Sequence, residues 1–329
     1  IDVGTRTAAV AGTLTGGALF ITAAGSIAGG NLPGTSVAGS FGLDAVGGNA
    51  SFDSVLLDTS GNDLPAQISS ISAINGTLSI DSDLSASIAG DLALATNAGS
   101  ITVDGALSLG VRGNVVRSYN GSPANAPGTI TATSIFLQAA AIDRPSTINS
   151  PGNQKYTSFS GSILVGNGSG ATITADAADG FSAGDLTATT AVVVRTFGNA
   201  AFLGTVSAPT IAVTSADILV GTSGRIGTAG TQLITLDVDP NANAIFLGGD
   251  PDVSGWTLSN AEFGRLTAST IRIRGPAAFE GLPPPVIIDT LDIRGTSPTT
   301  GAANSVFITA GGAIRVIGPV VMAGAAAQS

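Results

Sequence analysis

The sequence contains no cysteine and no histidine, and only 10% of its 329 residues are charged. The absence of cysteine excludes disulfides and thiolate chemistry. The absence of histidine removes the commonest metal ligand and general base, so that histidine-based zinc sites and catalytic triads are excluded. A phosphate-binding loop of the Walker type is also absent, because the single lysine, Lys155, lies between Gln154 and Tyr156.

Basic residues and long apolar runs are scarce as well. Lysine and arginine number 12 against 22 aspartate and glutamate residues, and the resulting net charge of −10 argues against a nucleic-acid partner. Mean hydropathy is high, at +0.43. The longest charge-free stretch, residues 7–43, is nevertheless interrupted by glycine, serine, threonine, asparagine and proline. Since a spanning helix needs ~20 predominantly apolar residues, we expect no transmembrane segment.

The main positive feature of the sequence is a recurring pattern in which an aliphatic residue precedes a polar stretch and then alternating apolar residues. Within each copy the apolar residues alternate with polar ones, which is the period of a half-buried strand. The last four copies start at Leu186, Val206, Leu266 and Val286. Successive starts are therefore 20, 60 and 20 residues apart, all multiples of 20. The copies occupy residues 130–138, 186–194, 206–214, 266–274 and 286–294.

Short strands that recur about every 20 residues predict an all-β fold, a parallel β-helix solenoid that we expect to be right-handed. A β-propeller is disfavoured, because its blades need roughly 40–50 residues and aromatic signatures. The prediction is a single domain over residues 1–329, with loops projecting around residues 116–156. If residues 266–275 and 286–295 are adjacent coils, Ile271 lies over Leu291 and Arg272 lies beside Asp292.

Coils of this length, rich in glycine, alanine, serine, threonine and asparagine, together with acidic charge and no cysteine, resemble a known family. They look like the β-helical shafts of filamentous-haemagglutinin-type exoproteins and autotransporter passengers of Gram-negative bacteria. Residues 239–245 are similar to the Asn-Pro-Asn-Gly signature of two-partner-secreted adhesins, but Asp239 replaces the first asparagine and Ala242 the glycine. The resemblance implies an exported cell-surface protein. The chain begins at Ile1, and we expect a processed chain or a fragment.

With histidine and cysteine absent, the carboxylates of aspartate and glutamate are the remaining candidates for catalytic groups. Most are expected to cap turns or to be solvated, and the weaker alternatives are a structural calcium site and catalysis. Residues 237–241 begin like a calcium loop, although Ala242 stands where glycine is needed. The pair Asp81 and Asp83 is a further candidate. The weak calcium candidates are Asp237, Asp239, Asp250 and Asp252.

Aromatic side chains for stacking against a sugar are few. The weak ligand candidates are Trp256, Tyr119 and Tyr156. Both tyrosines fall in residues 116–156, the least repetitive segment, where a projecting loop could carry a contact site.

The leading hypothesis is a non-enzymatic extracellular structural protein: a β-helical rod that serves as an adhesin shaft, a surface-layer protein or a filament subunit. We expect it to associate end to end or to continue into a longer chain, because terminal coils of a β-helix have unpaired edges. A host or surface glycan is a possible ligand, and no cofactor is expected apart from structural calcium. The alternatives are a β-helix polysaccharide lyase or hydrolase and a carbohydrate-binding surface module.

Overall fold

A computed structural model of the chain divides into two compact units, residues 1–171 and 172–329. The structure describes residues 8–10, 19–23, 27–29, 32–36, 41–45, 49–53, 55–58, 68–74, 76–97, 99–112, 114–116, 128–144, 147–239, 244–249, 255–276, 284–293 and 305–321. These residues form an all-β structure of parallel strands with one short helix. The predictions for Tyr119, Asp250 and Asp252 lie outside the described residues.

The first nineteen strands start in the first unit, and the last of them runs across the division. In chain order they are β1 Ala8–Val10, β2 Leu19–Ala23, β3 Ile27–Gly29, β4 Leu32–Ser36, β5 Phe41–Ala45, β6 Ala50–Phe52, β7 Val55–Asp58, β8 Ile68–Ile74, β9 Thr77–Ile80, β10 Leu84–Ile88, β11 Asp91–Asn97, β12 Ser100–Val111, β13 Val115–Val116, β14 Thr129–Ala139, β15 Ile142–Arg144, β16 Thr147–Asn149, β17 Gln154–Ser158, β18 Ile163–Val165 and β19 Gly168–Ala177.

The second unit contains the remaining strands and the helix. In chain order they are β20 Phe181–Ala183, β21 Leu186–Thr196, β22 Asn199–Phe202, β23 Thr205–Ser207, β24 Thr210–Ser215, β25 Asp217–Val220, β26 Arg225–Ile226, β27 Leu233–Val238, β28 Ile245–Gly248, β29 Trp256–Leu258, α1 Asn260–Phe263, β30 Thr270–Arg274, β31 Val286–Asp289, β32 Leu291–Asp292, β33 Ser305–Thr309, β34 Ile314–Val316 and β35 Val320–Val321.

Strands of the first unit pair in parallel to form three stacks. Stack A contains β1, β3, β6, β9, β16 and the first halves of β12 and β14. Stack B contains β4, β7, β10, β17 and the second halves of β12 and β14. Stack C contains β2, β5, β8, β11, β13, β15 and β18. From β3 to β18 the chain visits A, B and C in that order on every pass.

The number of residues between paired positions on successive strands varies more in the first unit than the sequence predicts. Ile130 pairs with Ile148 after a short pass, whereas a much longer stretch of chain separates Ile101 from its partner Ile130. The predicted coil length therefore holds for some passes only. The longer passes accommodate extra residues between strands without changing the order of the three stacks.

The core of stack A is a row of side chains that alternate with an outward-facing row. Leu78, Ile101, Ile130 and Ile148 occupy equivalent positions on successive strands, and all are buried. The intervening side chains of β9, including Ser79, are half-buried. Parallel sheets in α/β proteins are usually covered on both faces and contain continuous apolar runs. The alternation here places the apolar row inside and leaves the polar row on the outer face.

In the second unit, the predicted stacking of residues 186–194 on residues 206–214 is confirmed. Leu186 pairs with Val206, as the interval between the two copies predicts, and both side chains are fully buried. Further along, the register shifts by a single position, so that Val192 lies opposite Ile211. The sequence pattern therefore identifies neighbouring strands correctly in this part of the chain.

The corresponding prediction for residues 266–275 and 286–295 is wrong. Ile271 pairs with Ile234 on one side and with Val306 on the other, whereas Leu291 pairs with Val320. Arg272 consequently lies beside Thr235 and Phe307 and not beside Asp292. The reason is that β31 and β32 belong to other sheets, so the chain passes through them before it returns to pair with β30. The two similar segments therefore follow each other in different sheets and do not pair with each other.

Projecting loops are predicted around residues 116–156, and the structure describes only part of this segment. The described part of this segment forms β14, β15, β16 and the start of β17, which pair with the neighbouring strands of stacks A, B and C. Residues 117–127 lie outside the described part. Pro151, which is described, lies in the short turn between β16 and β17 and interrupts neither strand.

Helix α1 is the only helix among the described residues, and no helix there is long and apolar enough to cross a bilayer. It begins after Ser259, whose side chain accepts a hydrogen bond from the backbone N–H of Glu262. The Glu262 side chain in turn accepts from the N–H of Ser259, which completes a capping box.

Candidate functional site

Of the four calcium candidates, the structure describes Asp237 and Asp239. Asp237 lies on the outer face of β27, where both carboxylate oxygens accept hydrogen bonds from Arg274, at 2.6 Å from Nε and 2.7 Å from Nη2. Asp239 follows the strand and is buried, and its N–H donates to the carbonyl of Ser215. A guanidinium on Asp237 competes with any cation there. The described residues contain no cluster of three or more acidic side chains that could hold a metal ion.

Asp81 and Asp83 lie in the exposed turn after β9. The carboxylate of Asp83 accepts a hydrogen bond from the N–H of Ala106, 23 residues later and on the next pass of the chain, at 2.8 Å. Asp91 accepts from the N–H of Asn114, and Asp185 from that of Thr205, in the same way. For Asp83, the hydrogen bond joins successive passes of the chain, whereas the prediction was a cap on the turn that contains this residue.

Trp256 is not a surface platform for a sugar. It lies on β29, pairs with the buried Ile245, and is 1% exposed. Its Nε1 atom has no hydrogen-bond partner among the described residues. The carbohydrate-binding prediction for this residue is wrong, because the indole fills the core of the second unit.

Tyr156 is buried as well, with no exposed surface. Its hydroxyl donates to Oε1 of Gln154 at 2.8 Å. Nε2 of Gln154 donates to the carbonyl oxygens of Ile148, at 3.2 Å, and Ser169, at 2.6 Å. Gln154 and Tyr156 occupy the positions that Ile135 and Leu137 fill on the preceding strand of stack B. This polar pair is internal and available to no external ligand.

Asp44 forms a half-buried polar contact that the sequence did not reveal. Its carboxylate accepts hydrogen bonds from the hydroxyls of Ser70, at 3.0 Å, and Ser72, at 2.6 Å. Burial raises the pKa of Asp44, and the two hydroxyls partly oppose that rise. The serines lie 26 and 28 residues after Asp44, so only knowledge of the strand register could have brought the three side chains together.

We expect Asp44 to make stability depend on pH. Because its pKa is higher in the folded protein than in the unfolded chain, the folded state binds more protons between the two pKa values. The contribution of Asp44 to the free energy of unfolding therefore falls as pH rises through this window. In Asp44→Asn this dependence is lost. The difference between the parent and Asp44→Asn in denaturant unfolding should shift in favour of the parent as pH is lowered from 7 toward 4.

Comparison of the parent with Asp44→Asn is specific, because the two chains differ in this one carboxylate. A difference in the free energy of unfolding that stays constant over the same pH range would contradict the raised pKa of Asp44.

Two further carboxylates, those of Glu262 and Asp217, accept hydrogen bonds in and around helix α1 of the second unit. Glu262 is buried and accepts hydrogen bonds from the N–H of Val220, at 3.2 Å, and from the hydroxyl of Ser259, at 2.8 Å. Asp217 accepts from the N–H of Thr257 at 2.7 Å. Burial raises the pKa of Asp217, and repulsion from Glu262 adds to the rise.

Both carboxylates of this group hold together parts of the chain that are 40 and 42 residues apart. Their acceptor atoms are directed at backbone and side-chain donors of the protein itself. The sequence contained one indication of this arrangement, namely a serine followed three positions later by a glutamate at residues 259–262.

The most distinctive exposed surface lies on the last three strands, β33, β34 and β35, which we call the terminal edge. Ile314, Val316 and Val320 are 48%, 59% and 42% exposed. They pair with Val286, Ile288 and Leu291, which are buried. The exposed side chains thus continue rows that are part of the core one pass earlier. These side chains are apolar, so this surface can pack against another apolar surface and its strands can pair with a further strand.

No family model, no curated protein and no solved structure matches this chain. The resemblance to haemagglutinin-type exoproteins and autotransporter passengers therefore stays a prediction from the style of the repeats.

Proposed function

We propose that the chain is a non-enzymatic structural protein of the bacterial cell surface, built as a parallel β-helix. The observation that carries this proposal is the order of the strands in the first unit, where the chain visits stacks A, B and C in turn on pass after pass. A chain that returns to the same three parallel stacks advances by about 4.8 Å on each pass. Such a structure extends in one direction and suits a spacer or shaft.

The positions of the chemically versatile side chains support a structural role. Asp83 binds the backbone of the next pass, and Asp237 forms an ion pair with Arg274 on the neighbouring strand. Trp256 and Tyr156 are buried in the cores of their units. These side chains stabilise contacts between successive passes, which is where a structural protein needs them.

The extracellular location rests on the resemblance of the repeats to exported β-helical shafts. The outer face of stack A agrees with this, because the short polar side chains of Ser79, Thr102 and Thr131 occupy equivalent positions on neighbouring strands. The proposed duty is to space or display an adhesive region, as an adhesin shaft, surface-layer protein or filament subunit.

Immunogold labelling of intact source cells tests the location. We expect antibodies against the chain to label unpermeabilised cells. Labelling that requires permeabilisation would contradict the proposal.

Incubation with uronic-acid polysaccharides separates the structural role from the enzymatic alternative. We expect no release of reducing ends from the parent protein. Release that disappears in Asp237→Ala and persists in Asp176→Ala, a matched variant at another exposed ion pair, would favour the enzyme.

A further inference from the structure

The outer face of stack B carries rows of side chains that run across β12, β14 and β17 in the first unit. Because the side chains of a strand alternate between its two faces, every second residue of these strands points away from the core. The N–H groups of Arg112 and Phe159, which directly follow their strands, still donate to the neighbouring strand and continue the pairing. The residues of this surface, which we call the B face, are Ser108, Gly110 and Arg112 from β12 onward, Phe136, Gln138 and Ala140 from β14 onward, and Lys155, Thr157 and Phe159 from β17 onward.

Two basic side chains, Lys155 and Arg112, lie on the B face. Both are exposed, and neither forms a salt bridge with a carboxylate of the described residues. None of the residues that form this face is acidic. The B face therefore differs in sign from the chain as a whole, whose net charge is −10. Charge complementarity favours an anionic partner for it.

Two phenylalanine rings supply the B face with flat apolar surface. Phe159 is 51% exposed. Phe136 is half-buried, and the Nζ atom of Lys155 lies 5.9 Å from the centre of its ring, close enough for the ring to attract the ammonium group. Beside the exposed Gln138, Gly110 leaves open space, since a Cβ atom at this position would have no neighbour within 4 Å. Aromatic rings next to cations and an amide suit a sugar unit that carries a carboxylate.

The distance between the two cations favours a polymer over a single sugar. Lys155 lies level with Ser108, which precedes Arg112 by four residues on the second strand away. With about 4.8 Å between strands and about 3.3 Å per residue, the Cα atoms of Lys155 and Arg112 are roughly 16 Å apart. One carboxylate is too small to contact both side chains as they extend from the sheet, whereas separate acidic units of one polymer can do so.

We propose that the B face binds an acidic polysaccharide. Carboxylates of separate sugar units contact Lys155 and Arg112. The faces of the sugar rings pack against Phe136 and Phe159, and the amide of Gln138 forms hydrogen bonds with sugar hydroxyl groups. Binding of this kind goes beyond the structural function proposed above, because it gives the chain a ligand of its own. The B face has no carboxylate for acid–base catalysis, so the polymer is bound and not cleaved.

Isothermal titration calorimetry with polygalacturonate, a polymer with a carboxylate on every unit, tests the proposal. We expect the parent protein to bind this polymer and to lose affinity as the salt concentration rises, because salt screens exposed charges. Lys155→Gln and Arg112→Gln should each weaken binding about fivefold, which is equivalent to about 1 kcal/mol and typical of an exposed ion pair. Carboxyl-reduced polygalacturonate loses both ion pairs and should bind about 25-fold more weakly.

Two substitutions elsewhere in the chain are the matched controls. Arg272→Gln removes an exposed arginine of the second unit and should leave the affinity unchanged. Phe159→Ala should weaken binding to both forms of the polymer about fivefold, because it withdraws apolar contact area. Phe197→Ala, which removes a ring that is 72% exposed in the second unit, should not. Circular dichroism verifies that each variant is folded, which we expect because the substituted side chains are exposed.

Three results would each overturn the proposal: a parent that binds no polygalacturonate at any concentration, equal affinity for the carboxyl-reduced polymer, or equal weakening by Arg272→Gln and Lys155→Gln. These results are independent of the structural function. A chain that labels the surface of intact cells and binds no acidic polysaccharide would disprove the site on the B face and leave the structural function intact.

Discussion

Replacing Trp256 with alanine should lower the free energy of unfolding by about 3–5 kcal/mol, the range for removal of a large aromatic side chain from a core. Trp256 is 1% exposed and lies beside Ile245 and Leu258 in the second unit, both of them fully buried. The substitution leaves a cavity that the neighbouring strands cannot fill, because their register is fixed by backbone pairing. Urea unfolding monitored by circular dichroism measures the change.

Phe197→Ala is the control for this experiment, since Phe197 is an aromatic residue of the same unit that is 72% exposed. Its substitution should change the free energy of unfolding by no more than about 0.5 kcal/mol. A Trp256→Ala variant that unfolds like the parent but loses binding to a glycan array would contradict the buried position and restore the carbohydrate-binding alternative.

Replacing Gln154 with alanine should have the second largest effect, a loss of about 3 kcal/mol, because a buried polar group that loses its hydrogen bond costs about 1–3 kcal/mol. The substitution removes the partner of the Tyr156 hydroxyl and of the carbonyl oxygens of Ile148 and Ser169. Equilibrium unfolding in urea, monitored by circular dichroism, measures the loss.

Two variants identify the source of that effect. Gln138→Ala removes an exposed glutamine from the neighbouring strand β14 and should change stability by less than about 0.5 kcal/mol. Tyr156→Phe combined with Gln154→Ala should be less destabilising than the sum of the two single variants, because the two side chains share one hydrogen bond. Strict additivity would mean that this buried contact contributes nothing.

The repeats predicted strand type better than strand pairing. Leu186 and Val206 pair as the sequence indicated, yet Ile271 and Leu291 lie in different sheets although their segments look equally similar. Local alternation reports only that a segment is a strand with one buried face. Which strand it pairs with depends on the length of chain needed to pass around the other stacks, and no local pattern contains that length.

For the side chains of the candidate sites as well, the local sequence does not reveal contacts with residues on other strands. Asp83 could be assigned to a turn from its neighbours alone, but its partner Ala106 belongs to the next pass. The sequence makes Trp256 a ligand candidate because aromatic residues are few, and Tyr156 because it falls in the least repetitive segment. The structure places both among buried aliphatic neighbours. Asp44 was missed because Ser70 and Ser72 are distant in sequence.

Disulfide formation between introduced cysteines tests the strand register most directly, because the chain has no cysteine of its own. Arg272 and Phe307 face each other on β30 and β33, and paired positions of this kind lie within the Cα separation of roughly 4.4–6.8 Å that a disulfide needs. Mild oxidation should therefore link Arg272→Cys to Phe307→Cys within one chain and leave Arg272→Cys with Asp292→Cys reduced. Rapid bonding of the second pair, with none in the first, would contradict the parallel pairing of β30 with β33.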